Sequence, residues 1–189
     1  MRNPQPVVTL WDVNPMKEPS PNHYERAFED WLIDHRIPYV RADEHKRPGL
    51  PPTSVKNFDF LLHPSPDRKV IVEVKGRTFR GTTLTGLKGL ECWVTADDIA
   101  SLRTWREALG ADHEAVLVFA YRVTEADVDF DGHDVFHCSR DTYLFFCLRL
   151  DDYCQHMKRR SPKWQTMTLP ADKFRQYVTD LSSLLPDRT

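Results

Sequence analysis

The sequence contains no uninterrupted apolar run of about 18 residues, which excludes a helical membrane span. Its opening stretch, MRNPQPVVTLWDVNP, lacks the apolar core of a secretory signal. Cysteine is scarce: Cys92, Cys138, Cys147 and Cys154 show no disulfide-framework spacing. Together with His133, His137 and His156 they form no Cys-x-x-Cys knuckle, so a zinc site is not indicated. A reducing, cytoplasmic setting is therefore expected. Net charge is nearly absent, at a formal -2, so the chain as a whole does not advertise a polyanion partner. There is no internal repeat and no low-complexity tract.

What is present suits one globular domain. The 189 residues are 40% hydrophobic, enough for a core, and 29% charged. Residues 1–19, rich in proline, read as an extended arm with a short strand at Val7–Trp11. Residues 20–123 read as the core, and residues 124–189 as an extension packed on it.

The first helix is expected over Ser20–Arg36, where Tyr24, Ala27, Phe28, Trp31 and Leu32 form one apolar face and Pro38 prevents continuation. Tyr39–Ala42 reads as a strand, and the polar, proline-rich run from Asp43 as a loop. Val55–His63 and Lys69–Lys75 read as two strands, apolar on both faces, joined by a turn around Pro64–Asp67. The glycine-rich segment Gly76–Leu90 reads as a flexible loop. Thr95 and Asp98 make a capping box for a helix that Gly110 ends. AVLVFAY, Ala115–Tyr121, is a buried strand, Tyr143–Leu150 another, and Ala171–Leu185 a final amphipathic helix.

Asp59, Glu73 and Lys75 sit inside the two apolar strands of this central hairpin. Residues two apart share a face of a strand, so Glu73 and Lys75 point the same way. A turn centred on Pro66 without a bulge puts Asp59 opposite Glu73. Two neighbouring carboxylates repel, and one lysine compensates only one of them. A hard divalent cation such as Mg²⁺ or Mn²⁺ compensates both and shares phosphate ligands. A lysine beside it can orient or deprotonate a water and stabilise phosphorane charge. The competing reading is a structural ion-pair cluster, although buried ion pairs seldom improve on an apolar core.

Asp59, thirteen intervening residues, then Glu73-Val74-Lys75 resembles the PD-(D/E)XK nuclease superfamily. The order helix, three strands, helix, strand is similar to its common core, over roughly Ser20–Val123. WVTADDIASLRTWREALGADHEAVLVFAY resembles the helix and strand that follow the motif in Holliday-junction-resolvase-like members. Phe58 stands where the motif often has proline. The tail segment CLRLDDYCQHMKRRSPKW aligns to no nuclease subfamily. The resemblance implies a restriction-endonuclease-like αβββαβ core, a mixed central sheet flanked by helices, carrying here a C-terminal β/α extension. It implies metal-dependent cleavage of DNA, with Asp59, Glu73 and the Val74 carbonyl as metal ligands and Lys75 positioning water. Glu25 on the first helix matches the family's helical acid by position, which implies a catalytic role holding a second metal or a metal-bound water, though Asn22-x-x-Glu25 is also a capping box. A homodimer is likewise implied by resemblance.

From Arg68 to Lys88 there are six basic residues and one acid. Arg77, Arg80 and Lys88 are the expected phosphate contacts there. Lys158, Arg159, Arg160 and Lys163, beside Trp164, form a second basic patch suited to phosphates and a stacked base. Asp97 and Asp98 need only their helix-terminal role, and Trp93 and Trp105 read as packing residues. Two other functions fit the same sequence. One is a nuclease-fold nucleic-acid-binding module without turnover. The other is a protein-interaction role through Trp164, Phe174 and Tyr177.

Overall fold

A computed structural model describes residues 22–42, 55–110 and 112–185. The expected N-terminal arm and the loop from Asp43 lie outside the described residues. The element order is α1 (His23–Asp34), β1 (Tyr39–Arg41), β2 (Phe60–Ser65), β3 (Arg68–Phe79), β4 (Val94–Thr95), α2 (Ala96–Leu109) and β5 (His113–Val123), followed by β6 (Phe136–Cys138), β7 (Asp141–Arg149), α3 (Leu150–His156), β8 (Lys158–Ser161), β9 (Thr166–Thr168), α4 (Ala171–Tyr177) and β10 (Thr179–Asp180).

The main sheet runs β1-β2-β3-β5-β7-β10, with β6 added on β7. β3 and β5 are parallel and the other pairs antiparallel. The parallel pair requires a crossover, which α2 supplies. β4, β9 and β8 form a separate small sheet. Among the described residues, no helix is long and apolar enough to cross a membrane.

The central strands are buried on both faces, as their continuous apolar runs dictate. Val70, Val72 and Val74 face one core with Ala27, Phe28, Trp31 and Leu32 of α1. Ile71 and Phe79 face the other, with Ile99, Leu102 and Trp105 of α2. By strand alternation Glu73 and Lys75 continue the Ile71 face, the side of α2.

The β2–β3 hairpin reaches its register by an unexpected route. Phe60 faces Val72, Leu61 faces Ile71 and Leu62 faces Val70, the pairing expected from the sequence. The turn itself is the two-residue Pro66–Asp67, with Ser65 opposite Arg68. That turn alone would shift the pairing by one residue. An irregularity between Leu62 and Ser65 takes the shift back. Pro64, lacking an N–H, is the residue that leaves a ladder most easily. β2 also starts later than expected: residues 55–58 are irregular and the chain bends at Asp59.

Two further expectations change. β3 does not end at Lys75 but runs to Phe79, because β5 pairs with it through Phe79–Val123. Gly76 is a strand residue rather than the start of a loop. A Cβ there would lie 2.1 Å from Cδ2 of Tyr24, so the glycine admits the α1 aromatic onto the sheet. Gly76→Ala is expected to lower stability by about 1–3 kcal/mol through overpacking. Thermal unfolding of the Tyr24→Ala/Gly76→Ala double variant should show a smaller loss than the two single losses combined. The final helix stops at Tyr177 instead of Leu185. Val178 turns extended, Thr179 pairs with Cys147, and a 3-10 turn at Leu181–Leu184 buries both leucines. The open edge of β7 outcompetes a further helical turn.

Candidate metal and nucleic-acid site

Beyond Phe60, β2 peels away from β3 and a side chain takes over its ladder role. The Val74 N–H donates to Oδ2 of Asp59 at 2.6 Å. A strand residue's N–H and carbonyl point to the same edge, so the Val74 carbonyl also faces the gap that β2 leaves. The Lys75 ammonium, two residues along from Glu73 on one face, donates to its Oε1 at 2.7 Å. A cavity of about 620 Å³ opens here, lined by Glu25, Asp59, Glu73, Lys75 and Asp98 among others.

Glu25 lies in the first turn of α1, whose N-cap is Asn22. Its carboxylate receives Arg41 Nη2 at 2.9 Å, while Nη1 of the same guanidinium reaches Glu29 at 3.1 Å. Glu25 therefore lines the cavity with Asp59 and Glu73 as a carboxylate braced by Arg41. Among the described residues, no three His, Cys, Asp or Glu side chains are grouped closely enough to surround an ion.

The sequence reading gave Asp98 only its cap, and the structure adds more. The capping box forms, with Asp98 Oδ2 accepting from the Thr95 N–H at 3.0 Å. The same oxygen lies 3.1 Å from the Lys75 ammonium, and Oδ1 lies 3.3 Å from that of Lys56. Lys56 is stitched to α2 as well: its N–H donates to Ser101 Oγ, and its carbonyl accepts from Trp105 Nε1. Nothing in the sequence pattern separates an acid that only caps from one that also reaches a neighbouring strand.

Burial, and next the Glu73 charge, push the Asp59 carboxyl well above its ordinary range. Burial raises Glu73 too, against the pull of Lys75. For Lys75, burial alone would lower the pKa, but the Glu73 and Asp98 carboxylates outweigh it and the ammonium is held charged. Burial of Asp98 is likewise outweighed, by Lys75 and the Thr95 bonds, and its pKa falls.

Asp59 is thus a carboxyl whose charge the fold leaves undercompensated. A carboxylic acid with a raised folded pKa loses stability as pH climbs from its unfolded pKa through the folded one. Asp59→Asn, which keeps an acceptor for the Val74 N–H, is expected to stabilise the metal-free protein by about 1 kcal/mol at pH 8. The gain should vanish near pH 3, where both forms are neutral. Thermal unfolding in chelator at the two pH values checks it.

The residues fit a hard cation. Two carboxylates and a strand-edge carbonyl suit Mg²⁺, which keeps several waters and takes only one or two carboxylates. The undercompensated Asp59–Glu73 pair supplies the charge that such an ion would neutralise.

The small sheet joins the two basic segments. Arg77 stacks on Trp93, 3.8 Å from its ring, and donates to the carbonyls of Gly76 and Trp93. That fork is occupied by protein, so Arg77 acts as a clamp more than as an outward cation. Arg160, on β8, stands 5.2 Å from the same ring and pairs with Glu91. Trp93, half-buried and lining both hollows, bridges the two patches. Arg80 and Lys88 are exposed and line a second hollow of about 780 Å³, which shares Tyr24, Gly76, Arg77 and Trp93 with the first cavity. Lys158, Arg159 and Lys163 are exposed on the β8–β9 hairpin, where Trp164 is 69% exposed. Phe174, read above as a surface aromatic, is buried, and Tyr177 stacks on His156.

No family model and no curated protein matches the chain. Among solved structures, Archaeoglobus fulgidus Hjc, a Holliday junction resolvase from an archaeal hyperthermophile, is similar in architecture. The TM-score is 0.50 at 12% sequence identity, over 86% of this chain and 97% of that one. The likeness is one of fold: a mixed central sheet flanked by helices, in the restriction-endonuclease-like arrangement.

Proposed function

We propose that the chain is a divalent-metal-dependent nuclease that hydrolyses phosphodiester bonds in DNA. One observation carries this reading. Asp59, at the bend just before β2, and Glu73, on β3, line one cavity with a charged Lys75, and that cavity runs on into a basic hollow. Asp59, Glu73 and the Val74 carbonyl would hold Mg²⁺ or Mn²⁺. The bound ion would supply a nucleophilic water and polarise a phosphoryl oxygen. Lys75, kept as an ammonium, would orient that water and face the charge developing on phosphorus, not act as its base. Glu25, steadied by Arg41, would add an acidic acceptor for metal-bound water. Arg80, Lys88, Lys158, Arg159 and Lys163 would contact phosphates, while Arg77 and Arg160 shape the surface around Trp93.

The similarity to a Holliday junction resolvase puts branched DNA first among substrates, and a homodimer would suit a two-fold junction. A second reading, a silent nucleic-acid-binding module, is favoured by the double hold on Lys75 by Glu73 and Asp98. The test incubates the protein with branched, duplex and single-stranded DNA in Mg²⁺ or Mn²⁺. Cleavage that chelator stops supports the nuclease. Salt-sensitive binding without cleavage supports the silent module, and neither binding nor cleavage overturns both.

A further inference from the structure

We infer that Asp98 is the standing counter-ion of Lys75, a positioning residue that lets Glu73 give up its ion pair to another cation without leaving the ammonium alone. The inference rests on the metal-site reading above. Lys75 lies 2.7 Å from Glu73 and 3.1 Å from Asp98, so one charge faces two carboxylates. The two are not equivalent. Asp98 is 6% exposed and fixed from three sides, by the Thr95 N–H, Lys56 and Lys75. It cannot leave Lys75 without opening the helix cap. Among the described residues, the one hydrogen bond of the Glu73 carboxylate goes to Lys75. Glu73 is therefore the partner able to exchange, and Asp98 the one that stays.

The cap alone does not need this charge. An asparagine at 98, the third residue of the helix, keeps an oxygen for the Thr95 N–H. The carboxylate adds a fixed negative charge next to Lys75, and a buried charge of that kind persists only when paired. With Asp98 in place, Lys75 keeps its aim while Glu73 turns to the ion. Without it, Lys75 holds Glu73 as its sole charged partner and competes with the ion.

Calorimetric Mn²⁺ titration of wild type, Asp98→Asn, Lys75→Met and the double variant tests this. Asp98→Asn should weaken Mn²⁺ binding roughly tenfold, the worth of one charge-assisted hydrogen bond. In the Lys75→Met background the same change should cost less than about twofold. Equal losses in both backgrounds would mean that Asp98 acts on the ion by its bare charge, and would overturn the inference, as would no loss at all. Thr95→Ala removes the cap hydroxyl but no charge. It should lower the Tm and leave Mn²⁺ affinity at the wild-type level, and a tenfold loss there would make the effect structural and defeat the proposal. A wild-type protein that binds no Mn²⁺ defeats the metal reading itself, and the inference with it.

Discussion

Lys75→Ala, Asp59→Ala and Glu73→Ala are each expected to lower DNA cleavage at least about a hundredfold in Mg²⁺, with the triple variant falling little further. Groups that act on one transition state lose their joint effect when any one is removed, so the losses do not add. Each change removes something different. Asp59→Ala and Glu73→Ala take a carboxylate from the pair that would hold the ion. Lys75→Ala takes the charge that would face phosphorus, and removing one such donor from a preorganised site costs about 100- to 1000-fold alone. It also leaves Glu73 and Asp98 without their shared cation, so metal-free stability should drop in that variant. Asp59→Ala should not be destabilising in the same way, because it relieves repulsion with Glu73. Single-turnover cleavage with thermal unfolding beside it separates the two effects. Cleavage within tenfold of wild type in any of the three excludes that residue from the site.

The second large effect is on binding. Reversing Lys158, Arg159 and Lys163 to glutamate is expected to weaken DNA binding roughly a hundredfold at 50 mM salt and much less at 200 mM. Each lost phosphate contact flattens the salt slope by about 0.9. The fold should tolerate the change, since all three side chains are exposed. Arg77 is the contrasting case. Its guanidinium binds two carbonyls and the Trp93 ring, so Arg77→Ala should lower stability more than it alters the salt slope. Fluorescence anisotropy across a salt series, with chelator present to prevent cleavage, measures both.

Much of the scaffold was legible because its signals were redundant. A turn centred on Pro66 without a bulge predicts the β2–β3 register; burial of both apolar runs keeps that pairing even though the turn is Pro66–Asp67 and an irregularity follows Leu62. The stripe Ala27, Phe28, Trp31 and Leu32 marked α1 and its buried side. The box Thr95–Asp98 and the cap at Gly110, where φ is 113°, marked both ends of α2. The misreadings share a cause. Gly76, Arg77 and Thr78 carry turn-like and polar chemistry, and only the length of β5 keeps them in a strand. Val178 and Thr179 follow an amphipathic pattern, and only the free edge of β7 pulls them extended. Asp98 satisfied a local rule completely, which hid its contact with Lys75 across the fold. Trp93 joins Arg77 and Arg160, which lie far apart in sequence, a relation set by the small sheet and by no local pattern.

The β3–β5 ladder has a consequence for how the protein is made. Each of its eleven pairs joins residues more than forty positions apart. During synthesis the strand bearing Glu73 and Lys75 leaves the ribosome well before its parallel neighbour exists. Such non-local pairing closes slowly, and the Val70–Val74 segment stays sticky in the meantime. The nascent chain thus has its greatest need of a chaperone in the interval between emergence of β3 and emergence of β5.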